Sequence, residues 1–411
     1  MTVTFLTSYF PVGSEQFITN QVVGLLEAGH EVQIISLHTP KQVVTNDEYE
    51  RLKLYGKVEY IHIPRKNELK PAALIGLVFS LLCTAPLKLI KAFNFFNYHR
   101  AVFSFKTLYL LKHFRRRKID LLHCHFGPNG IVGSFLKDIG VVDTLVATFH
   151  GSDINSYPLR YGKNVYNRLF EVVDRITVNT DFTGDKVISY GADPDKIDIV
   201  PVGLKCTEYP YLKDTGFKGA PVVLSVARLE EKKGLCYSLQ AFASVLEKYP
   251  NAEYHIAGEG SQKAVLQQLV KRQNIEERVV FHGFCDRMKL FELYRKATVF
   301  VLPSVTAKSG DMEGQGLVLQ EAQAVGLPVI TTLHNGIPDG VLDGKSGFLL
   351  PERDSEGIAM KIIYLAGHPS EAGQMGKTGR EFVMLNYDIP RLTEKVKATY
   401  LKAMSNCLDS R

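Results

Sequence analysis

Short apolar runs alternate along the chain with segments of helical spacing, and they do so in two successive series. The first comprises residues 3–7, 32–37, 121–125, 145–150, 175–179 and 197–200. A loop with Pro11 and Gly13, then a helical stretch from about 15 to 28, separates its first two runs. The second series comprises 222–227, 254–257, 279–282, 299–302 and 328–331, with Gly or Pro punctuating the strand ends. Runs this short, alternating with helices, predict parallel sheets covered on both faces. The stretch 201–221 has little apolar periodicity and holds Pro201, Gly203, Pro210, Gly216, Gly219 and Pro221, so a domain boundary falls there. The expected fold class is α/β: two doubly wound, Rossmann-like domains, 1–205 and 206–386, facing each other across a cleft. A helical tail over 387–411 is expected to pack back toward the first domain. Ligands bind such sheets beyond the carboxyl ends of strands, so residues just after strands are where chemistry is sought.

Composition narrows the class. Of 411 residues, 45% are hydrophobic and 22% charged, the mix of a globular protein rather than of a disordered, collagenous or coiled-coil chain. Cys83, Cys124, Cys206, Cys236, Cys285 and Cys407 are scattered without a C-x-x-C pair, the pattern of reduced thiols. The first residues read as a strand and not as a signal peptide, so a cytoplasmic protein is expected. A net charge of +6 is too small to imply nucleic acid, and none is expected as a partner. Its distribution says more. Between 69 and 119 stand ten cations and no acid: Lys70, Lys88, Lys91, Arg100, Lys106, Lys112, Arg115, Arg116, Arg117 and Lys118. The longest uncharged run there, 71–87, has 17 residues, short of the about 20 that a membrane-spanning helix needs. Basic amphipathic helices suit an anionic membrane surface instead, which predicts peripheral attachment to the inner face of the cytoplasmic membrane. The plainer alternative is that these helices cover the first sheet, with their lysines reaching outward.

The densest chemistry lies between 302 and 352. After the run 299–302 come Pro303 and Ser304, a polar loop, and Glu313-Gly314-Gln315-Gly316-Leu317-Val318-Leu319-Gln320-Glu321. Leu317 onward predicts a helix docked on the sheet, with Glu313 and Gly314 at or just before its N-terminus, a natural anion site. Two glutamates eight apart would lie roughly 12 Å apart if helical throughout, enough to hold both ends of an elongated polar ligand. On spacing alone, Glu313 is equally a charge favoured by the helix dipole, and Glu321 a solvated surface carboxylate. His150 ends a strand run and precedes Gly151-Ser152-Asp153, where a ligand contact competes with a core histidine. Asp153 either caps the next helix or binds an acceptor. His123 and His125 share one strand face around Cys124; no further zinc ligands are evident, so they are expected in the cleft wall near the acceptor. The one D-x-D, Asp193-Pro194-Asp195, reads as a turn.

These segments resemble a known family. The pairing of Glu313 with Glu321, with Pro303-Ser304 before it and Ala322-x-Ala324-x-Gly326-x-Pro328 after it, is similar to the E-x7-E pattern of the retaining family-4 glycosyltransferases. So is Val226-Ala227-Arg228-Leu229-x-x-Lys232-Lys233-Gly234. Ala257-Gly258-Glu259-Gly260, His282-Gly283, Asn335-Gly336-Ile337-Pro338 and Gly344-Lys345-Ser346-Gly347-Phe348 match as well. Ser14-Glu15-x-Phe17, His123-x-His125-Phe126-Gly127-Pro128, Phe149-His150-Gly151-x-Asp153 and Asp311-Met312-Glu313-Gly314 look most like the bacterial exopolysaccharide transferases of colanic acid and amylovoran type.

The likeness implies the two-Rossmann GT-B fold and a set of roles. Arg228 and Lys233 would hold the donor's diphosphate in place of a divalent ion. Glu321 would accept the ribose hydroxyls, Glu313 would face the donor sugar at its anomeric carbon, and the amides of Gly316, Leu317 and Val318 would meet phosphate. Gly13, Gly258, Gly283 and Gly314 complete the implied donor site, although the family often has Gly-Gly where Val12-Gly13 stands. His150 would sit beside the transferred sugar, with His123, His125 and Asp153 on the acceptor side. The implied reaction moves a hexose from a nucleotide diphosphate sugar to a lipid-linked saccharide in surface polysaccharide assembly, with no cofactor and no metal. UDP-galactose or UDP-glucose is the preferred donor, GDP-mannose the alternative. Retention without an evident enzymic nucleophile implies same-face attack assisted by the donor's phosphate oxygen. A phosphorylase would need a pyridoxal lysine and a longer chain, and an epimerase would not explain the Arg-x4-Lys and E-x7-E patterns together. A non-catalytic, membrane-associated assembly subunit would not need Arg228, Lys233, Glu313 and Glu321 all intact.

Overall fold

The structure, a computed structural model, describes residues 1–40, 47–61, 63, 71–94, 106–211 and 219–409. Chain contacts divide it into two units, one of Met1–Asn179, Thr183–Val200 and Thr393–Arg411, the other of Thr180–Phe182 and Pro201–Leu392. The first unit holds β1 (Thr2–Tyr9), β2 (Glu31–His38), β3 (Val58–Tyr60), β4 (Ile119–His125), β5 (Val142–Phe149), β6 (Arg175–Val178) and β7 (Ile197–Ile199). They form one parallel sheet in the order β3-β2-β1-β4-β5-β6-β7. The second unit holds β8 (Val222–Val226), β9 (Glu253–Ala257), β10 (Val279–Gly283), β11 (Val299–Leu302), β12 (Val329–Thr332) and β13 (Gly347–Leu350). Its parallel order, β10-β9-β8-β11-β12-β13, repeats the scheme. Each sheet therefore has one place where the strand order reverses, between β1 and β4 and between β8 and β11. Loops diverge there and leave a crevice.

Alternate residues of each strand feed opposite faces, as the pleat requires. In the first unit Leu6 and Cys124 enter one apolar cluster, and Phe5 and Leu121 enter the other. In the second, Val223 and Val301 divide from Leu224 and Leu302 in the same way. The two strands that the apolar pattern does not predict, β3 and β13, each stand at one edge of their sheet. Val58-Glu59-Tyr60 is only three residues long and half-buried, too short and too polar to register as an apolar run.

The tail forms the helix Ile389–Asp409. Its residues Val396, Tyr400 and Ala403 lie at helical spacing on one face and complete the cluster around Phe5, Ile18 and Val22. A polar strap reinforces this contact. Asp198, on β7, accepts from Thr399 at 3.1 Å and Lys402 at 2.8 Å, and pairs with the largely buried Arg175 at 2.8 Å. Burial opposes the Asp198 carboxylate, but Lys402 and Arg175 outweigh it and hold its pKa below the ordinary value.

Three described helices fall in the cation-rich stretch: Pro71–Thr84, Pro86–Ala92 and Lys106–Phe114. Lys70, Arg100 and the segment 95–105 lie outside the described residues, as does Gly216 of the boundary stretch. The inner faces pack Leu77, Leu81, Leu89, Ala92, Leu108 and Leu111 into the first unit's core. The outer faces of the first two helices and the turn that follows are also apolar: Ile75, Phe79, Leu82, Leu87, Ile90 and Phe93 are between 46% and 78% exposed. Many of the cations are engaged locally. Lys88 and Lys91 donate to the carbonyls of Arg115 and Asp138, while Arg117 and Lys118 pair with Glu59 and Asp143 at 2.6 and 3.0 Å. The outward surface of the first two helices is thus more apolar than basic. Among the described residues no helix is long and apolar enough to cross a membrane.

Replacing Asp198 with Ala leaves the Arg175 charge buried without its partner. Unfolding in urea is expected to show a loss of about 3 kcal/mol, and a loss within error would mean that the strap contributes nothing.

Candidate active site

In the second unit, the loop leaving β8 carries Arg228, which is exposed, and a short turn, Glu231–Lys233, which buries Lys233. Gly234 follows with φ +65° and starts the helix Leu235–Lys248. A Cβ at Gly234 would stand 1.9 Å from the Pro303 carbonyl oxygen, so only glycine lets the β8 loop lie against the β11 loop. That contact aligns the central pair. Lys233 Nζ lies 2.7 Å from Glu313 Oε2, with the two side chains 9% and 15% exposed. Burial would push the Glu313 carboxyl up; Lys233, with Lys232 and Arg228 beyond it, holds it below its ordinary value. Lys232 ties down the same loop through Asp311 Oδ1 at 3.3 Å and the Met312 carbonyl at 3.2 Å.

The helix begins only at Leu317, with Gly316 at φ +73° as its N-cap. Glu313 and Gly314 therefore precede it in irregular chain, and the separation of Glu313 from Glu321 is not that of two helical turns. Gly316, Leu317 and Val318 form its cap and first turn, where amides have no acceptor within the helix. Glu321 is no solvated surface carboxylate. Tyr294 Oη donates to its Oε2 at 3.1 Å, Tyr209 bonds it too, and burial raises its pKa above the ordinary value despite these donors. Gly258 and Gly283 serve close approach of loops: the Gly258 amide donates to the Gly283 carbonyl at 2.7 Å, and a Cβ on Gly258 would meet the Ala227 carbonyl oxygen at 1.8 Å.

In the first unit, Gly13 opens the turn Gly13–Glu15 just after β1. His125 ends the neighbouring β4, and His150 follows β5 directly. His123 and His125 stack with ring centres 4.6 Å apart, and His125 stacks on His150 at 5.3 Å. His125 Nδ1 and His150 Nε2 share a hydrogen bond of 3.0 Å. Phe17 and Phe126 pack on the His150 ring. Burial drives His123 and His150 down to about 3 and His125 well below its ordinary value, so all three rings are neutral near pH 7. The buried nitrogens His125 Nε2 and His150 Nδ1 have no hydrogen-bond partner among the described residues.

Two expectations for the acceptor side change here. His123 is fully buried, with Nδ1 bonded to Tyr400 Oη and Nε2 to Thr148 Oγ1, each at 2.6 Å. It is an interior residue and not part of a cleft wall, because both ring nitrogens are already used. Asp153 is buried and accepts from the amides of Gly127, His150 and Gly151 at 2.9, 3.0 and 2.9 Å. Its carboxylate fastens the His150 loop from beneath and leaves little for an acceptor.

Sequence reasoning missed His334 and Glu352, which reach the Glu313 loop, and the tyrosines on Glu321. His334 lies two residues past β12. The rule that sends attention to strand ends, applied to β12 as it was to β8 and β11, would have found it.

Known proteins resemble this chain along most of its length. Residues 11–208 fit the family model described as Glycosyltransferase Family 4, and residues 211–382 fit Glycosyl transferases group 1. The glycosyltransferase WcaL of Salmonella typhimurium, named for colanic acid biosynthesis, is 32% identical over 88% of this chain and 90% of its own. The chain belongs to the family-4 glycosyltransferases. A second member, the amylovoran biosynthesis glycosyltransferase AmsK of Erwinia amylovora, is 30% identical over 89% of this chain and 91% of its own. Among solved structures, HepE of Anabaena in complex with UDP superposes with a TM-score of 0.71 at 17% identity, covering 98% of this chain and all of that one. This glycosyltransferase therefore has the GT-B fold.

The Glu313 carboxyl, lower in the fold than its ordinary 4.5, stabilises the protein above that value; the contribution disappears as pH falls through the folded-state value. The gap in urea unfolding midpoint between wild type and Glu313→Gln is expected to hold from about pH 7 to about pH 5 and to close only below. A gap that closes above 5 would contradict the depressed value.

Proposed function

We propose that this glycosyltransferase moves a hexose from a UDP-sugar, UDP-galactose or UDP-glucose, to a lipid-linked saccharide in exopolysaccharide assembly, retaining the anomeric configuration. The observation that carries the reading is the buried Lys233–Glu313 pair beside Arg228, where the second unit's strand order reverses. A diphosphate needs cations, and a transferred sugar needs an acceptor for its hydroxyls; both stand there, held before substrate arrives. The colanic acid and amylovoran names of the relatives support the pathway, and the UDP in HepE supports the base.

Arg228 and Lys233 hold the diphosphate, with the amides of Gly316, Leu317 and Val318 at its oxygens. Glu321, braced by Tyr294, accepts the ribose hydroxyls, and Glu313 faces the sugar. His150 sits beside the transferred sugar, and Gly13 lets backbone approach phosphate or acceptor. In the transfer itself, the bond from the anomeric carbon to phosphate oxygen breaks and the acceptor oxygen bonds to the same face. The acceptor's proton passes to the departing phosphate, whose growing charge Arg228 and Lys233 offset. These cations do the work of a divalent ion, so chelation with EDTA should leave turnover unchanged. A thermal-shift panel of UDP, GDP and their sugars tests the donor: UDP at 100 times its dissociation constant should stabilise by about 2.7 kcal/mol. Arg228→Ala and Glu313→Ala should each lower transfer by about 100-fold or more; two variants at the wild-type rate would overturn the site.

The outward apolar faces of Pro71–Thr84 and Pro86–Ala92 support attachment to an anionic membrane surface, where a lipid-linked acceptor would be met. The apolar residues carry more of this contact than charge does, since several of the cations are already paired. Flotation with phosphatidylglycerol vesicles is expected to recover wild type but not the Phe79→Asp, Leu87→Asp double variant. Salt should weaken binding less than that variant does, and wild type that stays out of the vesicle fraction would refute the attachment.

A further inference from the structure

Residues 312–315, which carry Glu313, make no backbone–backbone hydrogen bond among the described residues. Neither helix nor sheet fixes this segment; side chains do. Two consecutive residues after β12 grip the Glu313 main chain on both sides. The Glu313 N–H donates to His334 Nε2 at 3.0 Å, and its carbonyl accepts from Asn335 Nδ2. An amide can donate only to a bare nitrogen, so His334 Nε2 must be unprotonated. The ring proton is then on Nδ1, 2.6 Å from Glu352 Oε1, to which it donates. Glu352 is anchored in turn by the Thr306 amide at 3.0 Å, the Thr306 hydroxyl at 3.1 Å and Arg353 at 3.3 Å.

We infer that His334 is a positioning residue for transfer: Glu352 fixes its tautomer, and the ring then sets the place of Glu313 against the donor sugar. The inference rests on the role proposed for Glu313. Thr306 follows β11, His334 follows β12 and Glu352 follows β13, so a single hydrogen-bonded chain joins the carboxyl ends of three neighbouring strands and terminates on the Glu313 peptide. A buried histidine of purely structural use would need only to have its nitrogens satisfied. Here both partners demand opposite hydrogen-bonding character, and the partner on one side is the residue whose placement matters. Misplacement of a reacting group by an ångström is enough to cost about 100-fold in rate. Arg228, and Lys233 through the packing of Gly234 on the Pro303 carbonyl, reach the diphosphate from a loop that His334 does not touch, so the loss falls more on turnover than on affinity for the nucleotide.

Three variants of the full chain separate these roles. In His334→Gln the side-chain oxygen occupies the place of Nε2 and can still accept from Glu313. In His334→Asn it reaches only the place of Nδ1, and His334→Phe keeps the volume with neither bond. UDP affinity by calorimetry should change by less than about 10-fold in all three, far less than turnover, which also shows that they fold. The kcat for UDP release from UDP-glucose and UDP-galactose should fall by about 100-fold in the Asn and Phe variants and recover most of the way in Gln. Nitrogen-15 NMR of the unliganded wild type should show His334 protonated on Nδ1 and bare on Nε2. A protonated Nε2, or a wild-type kcat in His334→Asn, overturns the inference. Glu313→Gln run alongside distinguishes the two levels. If it loses turnover while His334→Asn does not, the inference alone fails; if it keeps wild-type turnover, the role given to Glu313 fails and takes the inference with it.

Discussion

A lysine and a glutamate 80 residues apart in sequence share one water-poor place at the centre of the second unit, and much else there follows from keeping them together. Either charge alone in such surroundings is costly, so neither loop can take its position without the other. This accounts for features that look unrelated in sequence. Gly234 removes the Cβ that would hold the loops apart, Lys232 ties down Met312, and the Val305 amide donates to the Lys232 carbonyl at 2.8 Å. Arg228, by contrast, is left exposed, and its charge reaches Glu313 only from beyond Lys233.

The first unit solves the corresponding place differently. Where its strand order reverses, neutral imidazoles occupy the ground that a charged pair holds in the second unit. The cause is burial, which no carboxylate among the described residues offsets: Asp153 is close, but backbone amides claim its oxygens. With burial unopposed, protonation is lost. The first unit can therefore offer hydrogen bonds to a neutral hydroxylated ligand but little cationic attraction.

Much of this was legible in the chain. The apolar runs locate eleven of the thirteen strands, since strands in parallel sheets are buried on both faces and show as continuous runs. The strand-end rule leads to Arg228 and His150, and the family motifs lead to Lys233, Glu313 and Glu321. What stayed hidden is whatever depends on pairing across the sheet. His123 and Asp153 look like site residues in sequence, and only their partners, Tyr400 from the far end of the chain and the amides of Gly127, His150 and Gly151, show that they are spent on structure. Glu321 shows the reverse, a glutamate that looks solvated until Tyr294 is found beside it. The cation-rich stretch misleads for the same reason. Its window contains no acid, yet Glu59 and Asp143, outside it, neutralise Arg117 and Lys118.

The backbone contact at Gly234 reaches beyond assembly of the site. A loop pressed against its neighbour at a carbonyl cannot lengthen, shorten or take on bulk by itself. Variation that altered the sugar accepted by an enzyme of this design would therefore be filtered out of the β8 and β11 loops, where two coordinated changes are needed at once. It would accumulate instead in segments free to vary singly. The loops that hold the Lys233–Glu313 pair are, by their packing, bound to change together.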